Sequence, residues 1–282
     1  MFARGPASSA NLGPGFDTLA VALQLYVEVT VELADEFEIS SEGFGAGRYD
    51  TPDHLAARIA TRVLGHDRYR IHVKSDIPLS RGLGSSAALA VAAAAAAGDS
   101  DPLAVGPEVD GHAENAAASF LGGLVTASVQ ERDGIIARRL GLDDEWRFVV
   151  VVPEEELATS DARRVLPSSV AFTDAVHNLN ALGLLIAGLA DHREFVRCAM
   201  EDYLHQPYRM GLLPFAAPLL ERLGAAGAAG ACWSGAGSSM LAIVVGADAE
   251  AVASAATSFL EEESVAGTVH VLDADRTGLV TT

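Results

Sequence analysis

Hydrophobic and polar positions along the chain predict short strands interleaved with helices. Apolar runs of strand length lie at 20–33, 69–73, 124–129, 146–152, 240–245 and 269–272. Apolar residues recur at helical spacing over 55–64, 87–97, 112–122, 174–189, 193–204, 218–223 and 249–260. Because the two kinds of segment do not alternate as regular βαβ units, the pattern favours an α+β fold over a doubly wound parallel sheet.

The length of the chain predicts two lobes. Its 282 residues exceed the usual size of one domain, and half of them are hydrophobic, which is enough for a large core. The strand at 146–152 ends at Pro153, where we expect the chain to enter the second lobe. The predicted domains are therefore residues 1–152 and 153–282.

The charge of the chain argues against two classes of partner. A net charge of −19 opposes binding to nucleic acid and to anionic membranes. The longest run of low polarity, 87–98, is too short to span a bilayer, and no basic segment precedes an apolar one as in a secretory signal. We therefore expect a cytoplasmic protein whose two cysteines, Cys198 and Cys232, pack as small apolar residues rather than form a disulfide.

A glycine- and hydroxyl-rich segment, residues 78–88, lies between a predicted strand and an alanine-rich helix. Gly82 and Gly84 let the backbone turn sharply and expose its N–H groups. The helix directs its positive end to the same place. Ser85 and Ser86 supply hydroxyls that could cap the helix or reach a metal ion bound to phosphates. The segment is therefore predicted to bind a phosphate chain.

Two familiar phosphate-binding motifs do not fit this segment. A Walker A loop needs a lysine after its last glycine, but the single lysine of the chain, Lys74, lies upstream. A dinucleotide fingerprint would begin with Gly82 and Gly84 and tolerates Ala87 at its third position, yet no βαβ unit opens the chain. A structural alternative, a capped turn before a buried helix, remains open while the segment is taken alone.

Two further glycine- and serine-rich loops, at 5–17 and 233–239, accompany this segment. Together the three loops resemble the three motifs of the galactokinase–homoserine kinase–mevalonate kinase–phosphomevalonate kinase superfamily, most closely those of its homoserine kinases. The resemblance spans residues 4 to 245 in order and includes GHAEN at 111–115, LGG at 121–123, TSDARRVLP at 159–167 and EDYLHQPYR at 201–209.

The resemblance implies a fold, an activity and a nucleotide site. The expected fold is two-lobed, with a mixed α/β N-terminal lobe that carries the phosphate loop and a ferredoxin-like α/β C-terminal lobe. The expected activity is ATP- and Mg²⁺-dependent phosphorylation of the side-chain hydroxyl of L-homoserine to O-phosphohomoserine, a step of threonine synthesis, by a homodimer. The expected nucleotide-binding residues are Pro78, Arg81, Gly82, Leu83, Gly84, Ser85, Ser86, Ala87, Gly235 and Gly237.

The acceptor site follows from the same resemblance. The residues that surround the amino acid in these kinases correspond to Asn11, Asp17 and Asn115. Those near the reacting hydroxyl and the substrate carboxylate correspond to Thr159 and Arg163, and with Asn115 they form the expected catalytic set. Asp17 is suited to an ammonium group, and the planar fork of Arg163 is suited to a carboxylate.

Several of these residues also have a structural interpretation. From the residues alone, Asp17 would cap a helix and Asn11 would form an Asx-turn. Arg209, a second candidate for the substrate carboxylate, would equally form a structural salt bridge. Two histidines of the matching segments, His112 and His205, are expected to hold local structure rather than to act as a base or a metal pair.

The expected chemistry needs no strong side-chain base. Mevalonate-type relatives carry an aspartate near the acceptor hydroxyl, and this chain has the pair Glu114–Asn115 there. With Asn115 set as in homoserine kinases, the resemblance implies direct in-line attack, with the hydroxyl proton leaving to phosphate or solvent. Positioning of the reactants and neutralisation of the phosphate charge then account for most of the rate enhancement.

The helix that supplies a magnesium-binding glutamate in the family is shortened here, at 98–108. Ala104 stands near the expected position of the carboxylate, so Glu108 is predicted to bind Mg²⁺ with Ser86, and Asp110 is the reserve. Two alternatives therefore remain. One is a kinase for another small alcohol such as mevalonate. The other is a member that binds a nucleotide or amino acid without turnover, which the shortened helix supports.

Overall fold

The computed structural model describes residues 1–106, 109, 111–132 and 134–282. Over these residues eleven strands form a seven-stranded and a four-stranded sheet, and helices pack against both. Most strand pairs are antiparallel and one is parallel, without the regular crossovers of a doubly wound sheet. The predicted α+β class is therefore confirmed.

The seven-stranded sheet is built around two long N-terminal strands. β1 (Phe2–Asn11) and β2 (Gly15–Leu33) form an antiparallel hairpin. The strands added next along the chain are β3 (Glu38–Gly43), β4 (Tyr69–Ser75), β5 (Leu124–Gln130) and β6 (Gly134–Arg139). β2 pairs with β4 through its later half and with β5 through its earlier half. Its length therefore connects the two ends of the sheet.

The second sheet is antiparallel throughout. It consists of β7 (Trp146–Pro153), β8 (Gly230–Trp233), β9 (Met240–Val245) and β10 (Gly267–Leu272), in the order β10-β7-β9-β8. A last strand, β11 (Val280–Thr281), returns to the first sheet beside β1. β7, which the predicted boundary assigns to the first lobe, thus hydrogen-bonds within the second sheet. The domain boundary after residue 152 stays a prediction.

The helices are placed on both sheets. Their bounds are α1 (Leu55–Leu64), α2 (Ser85–Ala96), α3 (Glu114–Leu121), α4 (Thr159–Arg164), α5 (Phe172–Ala190), α6 (Gln206–Arg209), α7 (Ala216–Ala225) and α8 (Ala249–Glu262). Eight of the twelve residues of α2 are alanine, and the helix is largely buried because its small side chains let α1, α3, β1 and β2 approach it closely. The start of α2 is thereby held among the elements that carry the predicted site.

One predicted helix is wrong. In place of a helix over 193–204, the chain forms two 3₁₀ turns, His192–Glu194 and Arg197–Met200. Aspartate side chains bind the backbone on both sides of these turns: Asp191 accepts the N–H of Arg193, and Asp202 accepts the N–H of Leu204. Such local bonds compete with helical ones, so the apolar spacing there did not produce a helix.

The expectation that residues 5–17 form a loop is largely wrong. β1 extends to Asn11 and β2 begins at Gly15, which leaves a turn of three residues between them. The small side chains of Ala7 and Ser8, which suggested a turn, are fully buried in the strand instead. Small residues fit there because α2 packs directly on β1.

The structure bears on two expectations drawn from the composition, one about membrane-spanning helices and one about the cysteines. Among the described residues, no helix is long and apolar enough to cross a membrane. Both cysteines are free: Cys232 is buried as predicted, whereas Cys198 is exposed, so its expected packing as an apolar residue is wrong.

Candidate functional site

The three glycine- and serine-rich segments of the sequence meet at one place. The Ser8 N–H on β1 donates to the carbonyl oxygen of Leu83 at 3.1 Å, which joins the first segment to the second. The Ser234 hydroxyl lies 2.7 Å from the Gly82 carbonyl oxygen and 2.8 Å from Ser9 Oγ. The third segment therefore touches both of the others.

Two glycines make this close approach possible. Gly82 has a φ of +71°, and a Cβ added to it would lie 2.0 Å from the carbonyl oxygen of Ser234. Gly84 has a φ of +64°, and its Cβ would lie 2.2 Å from Ser8 Oγ. A side chain at either position would require both a strained backbone and separation of the loops.

The start of helix α2, directly after this loop, faces a cavity. Gly84 is its N-cap and offers no side chain, and the first turn contains no acidic residue. Ser85 and Ser86 lie inside the first turn, so the expected capping by their hydroxyls is wrong. The first N–H groups of an α-helix lack intrahelical partners and carry a partial positive charge. The start of α2 is therefore able to bind an anion.

The cavity has a volume of about 420 Å³ and gathers most of the predicted site. The predicted residues that line it are Asn11, Asp17, Arg81, Gly82, Leu83, Gly84, Ser85, Ser86, Asn115, Thr159, Arg163, Arg209 and Gly235. Pro78, Ala87 and Gly237 are not among the lining residues. The predicted metal ligand Glu108 and its reserve Asp110 lie outside the described residues.

Asp17 and Arg163 form an ion pair in the cavity wall. Arg163 Nη2 donates to Asp17 Oδ1 at 2.7 Å, and Nη1 donates to Oδ2 at 3.1 Å. Asp17 lies in β2 with a φ of +51°, so its interpretation as a helix cap is wrong. A residue held in this backbone region needs support from its surroundings, and such positions concentrate at functional sites.

The amide of Asn11 is used within the protein. Its Oδ1 accepts the N–H of Asp17 at 3.0 Å, and its Nδ2 donates to the carbonyl oxygen of Gly235 at 2.8 Å. Asn11 thus supports Asp17 and ties the first segment to the third. A contact of Asn11 with the acceptor stays a prediction.

The two remaining acceptor candidates lie at helix starts. Asn115, on the first turn of α3, accepts the Ser8 hydroxyl on Oδ1 at 2.9 Å and lies beside Gly84. Thr159 is the first residue of α4 and is exposed in the cavity wall. Their predicted catalytic roles remain predictions, and the structure brings both to the same cavity as the start of α2.

Arg209 is a buried cation beneath the site, with a relative exposure of 1%. It donates Nε to the carbonyl oxygen of Ala162 at 3.2 Å and Nη1 to that of Gly235 at 3.0 Å. Burial, and after it the charge of Arg163, lower the pKa of Arg209 to about 10, which keeps it cationic at neutral pH. Among the described contacts, carbonyl oxygens take the place of the salt bridge that the sequence suggested.

His205 packs under the same segment. Its ring stacks on Phe16 with centroids 5.1 Å apart, and Nε2 lies 2.8 Å from the carbonyl oxygen of Gly13. Burial lowers the pKa of His205 to about 4, although Asp202 opposes the shift. A neutral ring that donates from Nε2 can accept Arg209 Nη1 on Nδ1, at 3.1 Å. These contacts support the expected structural role of His205.

Arg81 was expected to bind the nucleotide, and its guanidinium binds protein carbonyls. Nε donates to Pro153 at 2.7 Å, Nη1 donates to Leu79 at 2.8 Å, and Nη2 donates to Glu154. The side chain thereby ties the glycine-rich segment at 78–88 to the end of β7. A direct contact with the nucleotide stays a prediction.

The sequence did not point to Glu114 as a buried group of the cavity wall. Glu114 is 0% exposed, and its Oε1 lies 2.5 Å from His112 Nδ1. One ligand atom each of Glu114, His112 and Asp17 lies within 4.8 Å of the others. A glutamate at a helix start ordinarily faces solvent, so no signal in the sequence marked its burial. Aromatic side chains, Phe44 and Tyr49, line another part of the cavity.

Two family models match the chain. The model described as GHMP kinases N terminal domain covers residues 54–123. The model described as GHMP kinases C terminal covers residues 176–262. The first match contains the glycine-rich segment at 78–88 and the GHAEN segment at 111–115, whose last two residues open α3.

Proteins named homoserine kinase are similar to the chain over most of its length. The homoserine kinase of Caldanaerobacter subterraneus subsp. tengcongensis is 36% identical over 97% of this chain and 92% of that protein. That of Deinococcus radiodurans is 39% identical over 84% of this chain and 82% of that protein. The crystal structure of homoserine kinase from Cytophaga hutchinsonii aligns with a TM-score of 0.86 at 27% identity, over 99% of this chain and 96% of that chain.

Proposed function

This chain belongs to the GHMP kinases and, within them, to the homoserine kinases, and on this premise we propose that it phosphorylates the side-chain hydroxyl of L-homoserine with ATP as the donor. One observation carries the proposal. A single cavity joins the uncapped start of α2, which suits a phosphate chain, to the Asp17–Arg163 pair, which suits the two charges of an amino acid.

The nucleotide phosphates are proposed to bind at the start of α2. The N–H groups of the first turn face developing negative charge without any side-chain rearrangement, and no acidic residue of that turn opposes them. Mg²⁺ would be held by the Ser86 hydroxyl, which lines the cavity, and by the carboxylate predicted at Glu108. When bound, the ion neutralises charge on the phosphates.

The acceptor is proposed to bind with its carboxylate at Arg163 and Arg209 and its ammonium group at Asp17. Asn115 and Thr159 then position the hydroxyl near the phosphates. The hydroxyl oxygen forms a bond to the terminal phosphorus as the bond to the ADP oxygen breaks, and the hydroxyl proton leaves to phosphate or solvent. Orientation of the reactants and electrostatic stabilisation of the transition state account for most of the rate enhancement, so no strong base is needed.

The test is ADP release in the presence of ATP and Mg²⁺, compared for L-homoserine, mevalonate and no acceptor. We expect release that depends on homoserine, with O-phosphohomoserine as the product identified by phosphorus NMR. Release with mevalonate alone would show that the acceptor was misassigned. Folded protein that binds ATP and releases no ADP with any acceptor would support the non-catalytic alternative.

A homodimer belongs to the same proposal. On α5, Phe172 and Leu179 are 83% and 66% exposed and lie seven residues apart, on the same face of the helix. Light scattering should give twice the mass of the 29.2 kDa chain, and Leu179→Glu should halve it. A monomeric wild-type protein would contradict this part. The cytoplasmic location and the place in threonine synthesis are proposed on family membership alone.

A further inference from the structure

Over the part of the chain that the structure describes, four arginines line the cavity, and three of them hold several acceptors within the protein. Arg163 forms paired hydrogen bonds with Asp17, and the buried Arg209 donates to two carbonyl oxygens. Arg81 donates to three carbonyl oxygens. Moving any of these guanidinium groups would leave its acceptors unpaired, which costs free energy. The fourth, Arg48, is placed differently.

Arg48 is held by weak contacts. Its Nη1 lies 3.6 Å from Glu156 Oε1, and the side chains of the two residues are 58% and 50% exposed. Its guanidinium carbon lies 5.1 Å from the ring centroid of Tyr49. Water screens an exposed ion pair, and such a pair contributes little to stability. A more highly charged anion in the cavity can therefore take Arg48 from Glu156.

Glu156 lies between two arginines of the cavity wall. The same oxygen, Oε1, lies 3.4 Å from Arg81 Nη1 and 3.6 Å from Arg48 Nη1. Arg81 belongs to the glycine-rich segment at 78–88, which is proposed to bind the phosphates. Arg48 is thus held next to that segment, and Glu156 keeps Arg81 as a partner when Arg48 moves.

The backbone around Arg48 is anchored, so only its side chain has to move. The Arg48 N–H donates to the carbonyl oxygen of Gly45 at 3.1 Å. The hydroxyl of Ser41, in β3, accepts the Gly47 N–H at 3.0 Å and donates to Asp50 Oδ1 at 2.5 Å. The guanidinium can therefore change partners by rotation of side-chain torsions from a fixed base.

The distance fits an exchangeable pair better than a fixed latch. At 3.6 Å, Arg48 and Glu156 lie too far apart for a hydrogen bond. Other surface pairs of the protein are hydrogen-bonded, such as Arg70–Glu38 at 2.6 Å. Arg48 consequently loses only a loose electrostatic contact when it leaves Glu156.

We propose that Arg48 binds the phosphate chain of ATP by exchanging the Glu156 carboxylate for phosphate oxygens, and that Glu156 receives it again when the product nucleotide leaves. This proposal rests on the proposed function and adds to it a pair of residues that sets nucleotide affinity. A guanidinium can donate two parallel hydrogen bonds to a phosphate. In a chain with a net charge of −19, such a local cation offsets the general repulsion of an anion.

The test compares the binding of three ligands to wild type and to Arg48→Gln by calorimetry at one fixed Mg²⁺ concentration. ATP carries base, ribose and phosphates, adenosine lacks the phosphates, and tripolyphosphate lacks the base and ribose. The last two are measured by competition against ATP. We expect Arg48→Gln to weaken ATP and tripolyphosphate about tenfold, and adenosine to stay within about twofold because it offers Arg48 no phosphate. Arg48→Lys, which keeps the charge, should recover most of the affinity.

Glu156→Gln tests the other half of the exchange. We expect it to raise the affinity for ATP by about twofold to fivefold, because Arg48 no longer leaves a charged partner. In the Arg48→Gln background the same change should give no gain, and this coupling is a readout that a merely structural role of Glu156 would not produce.

Two controls separate local from general effects of charge. Glu155→Gln removes the neighbouring exposed carboxylate, and Arg58→Gln removes an exposed arginine on α1. Both should leave the three affinities within about twofold of wild type.

Four results would overturn the proposal. Equal losses for ATP and adenosine in Arg48→Gln would assign Arg48 to the shape of the cavity wall, and an unchanged affinity for ATP would show that it binds no phosphate. Weaker ATP binding by Glu156→Gln would make Glu156 a support of Arg81. An equal gain from Glu156→Gln with and without Arg48 would show that the two residues do not exchange.

Failure of the proposed function is distinguishable from failure of this exchange. It appears as wild-type protein without homoserine-dependent ADP release, whereas the three affinities are measured without turnover. An active wild type in which Arg48→Gln binds ATP normally rejects the exchange alone.

Discussion

Arg163 forms an ion pair with Asp17, 146 residues earlier in the sequence, through two parallel hydrogen bonds of 2.7 and 3.1 Å. The pair links β2 of the first sheet to α4, which follows β7 of the second. The Arg163 guanidinium also lies over the ring of Phe16, with 5.5 Å between the guanidinium carbon and the ring centroid. Two opposite charges are thus fixed at a defined spacing within the protein. Under the proposed function, this lowers the entropy cost of orienting the acceptor.

The first prediction concerns Asp17. Asp17→Asn removes one charge of this pair, and we expect KM for homoserine to rise about tenfold or more while KM for ATP stays within about threefold. Steady-state ADP release measures both constants. The matched control is Asp161→Asn, which breaks an exposed pair with Arg164 on α4 and should change neither. An unchanged KM for homoserine would mean that Asp17 serves Arg163 and not the substrate.

The second prediction concerns Gly84, the N-cap of α2. Gly84→Ala places a Cβ 2.2 Å from Ser8 Oγ and 3.0 Å from Asn115 Oδ1 at a φ of +64°. We expect KM for ATP to rise at least about tenfold and the free energy of unfolding in urea to fall by about 2 kcal/mol or more. Both effects follow from separation of the interlocked loops.

The control for that change is Gly65→Ala. Gly65 has a similar φ of +74°, and nothing lies within 4 Å of its added Cβ. Its cost should be the backbone strain alone, about 1 kcal/mol, with normal affinity for ATP. If the two variants behaved alike, the crowding at Gly84 would not matter.

The third prediction concerns Asn115. Asn115→Ala should lower kcat with homoserine by about tenfold to a hundredfold, because the acceptor hydroxyl loses its positioning group. The same change also removes the acceptor of the 2.9 Å bond from Ser8. Ser8→Ala removes that bond and the 3.5 Å contact of the same hydroxyl with the Asn115 carbonyl oxygen, keeps the Asn115 amide, and serves as the control. Equal losses in the two variants would assign Asn115 to loop structure, and unchanged turnover in Asn115→Ala would reject its acceptor role.

The fourth prediction concerns stability in acid. Burial holds the pKa of His205 at about 4 in the folded protein, below its ordinary value of 6.5. The unfolded chain therefore binds a proton between these values that the folded protein does not. The free energy of unfolding should accordingly decrease as pH falls from 6.5 to 4, by at most about 3 kcal/mol from this group.

Urea unfolding at pH 4.5, 5.5 and 7 measures this dependence. His205→Gln cannot titrate, so its slope against pH should be shallower by up to one proton than that of wild type. His177→Gln, which changes an exposed histidine on α5, should keep the wild-type slope. Equal slopes in wild type and His205→Gln would show that other groups cause the acid sensitivity.

Local patterns in the sequence predicted most of the elements. The helix at 55–64 matches α1 at both ends, and the strand at 240–245 matches β9. Helices α5, α7 and α8 extend beyond the predicted spans by one or two residues at each end that differs. Such patterns suffice because apolar periodicity records which face of a segment is buried. Strands β3 and β6 escaped prediction because their side chains are largely exposed and carry no such pattern.

The sequence by itself determined where the glycine-rich segment at 78–88, the predicted phosphate-binding loop, lies and which segments accompany it. Glycines at positions that need a positive φ, and an apolar helix directly after them, are local properties that survive without knowledge of the fold. Through resemblance it also gave Asp17 and Arg163 as candidate site residues, although it could not show that they form an ion pair with each other.

Only the tertiary structure decided what each polar side chain faces. Arg81 and Arg209 donate to backbone carbonyls, and Glu114 is buried beside Asp17. These burials and partners depend on elements that are distant in the sequence and meet only in the folded protein. The energy of a charged group depends on those neighbours and on its access to water, neither of which is encoded in the residue's own segment.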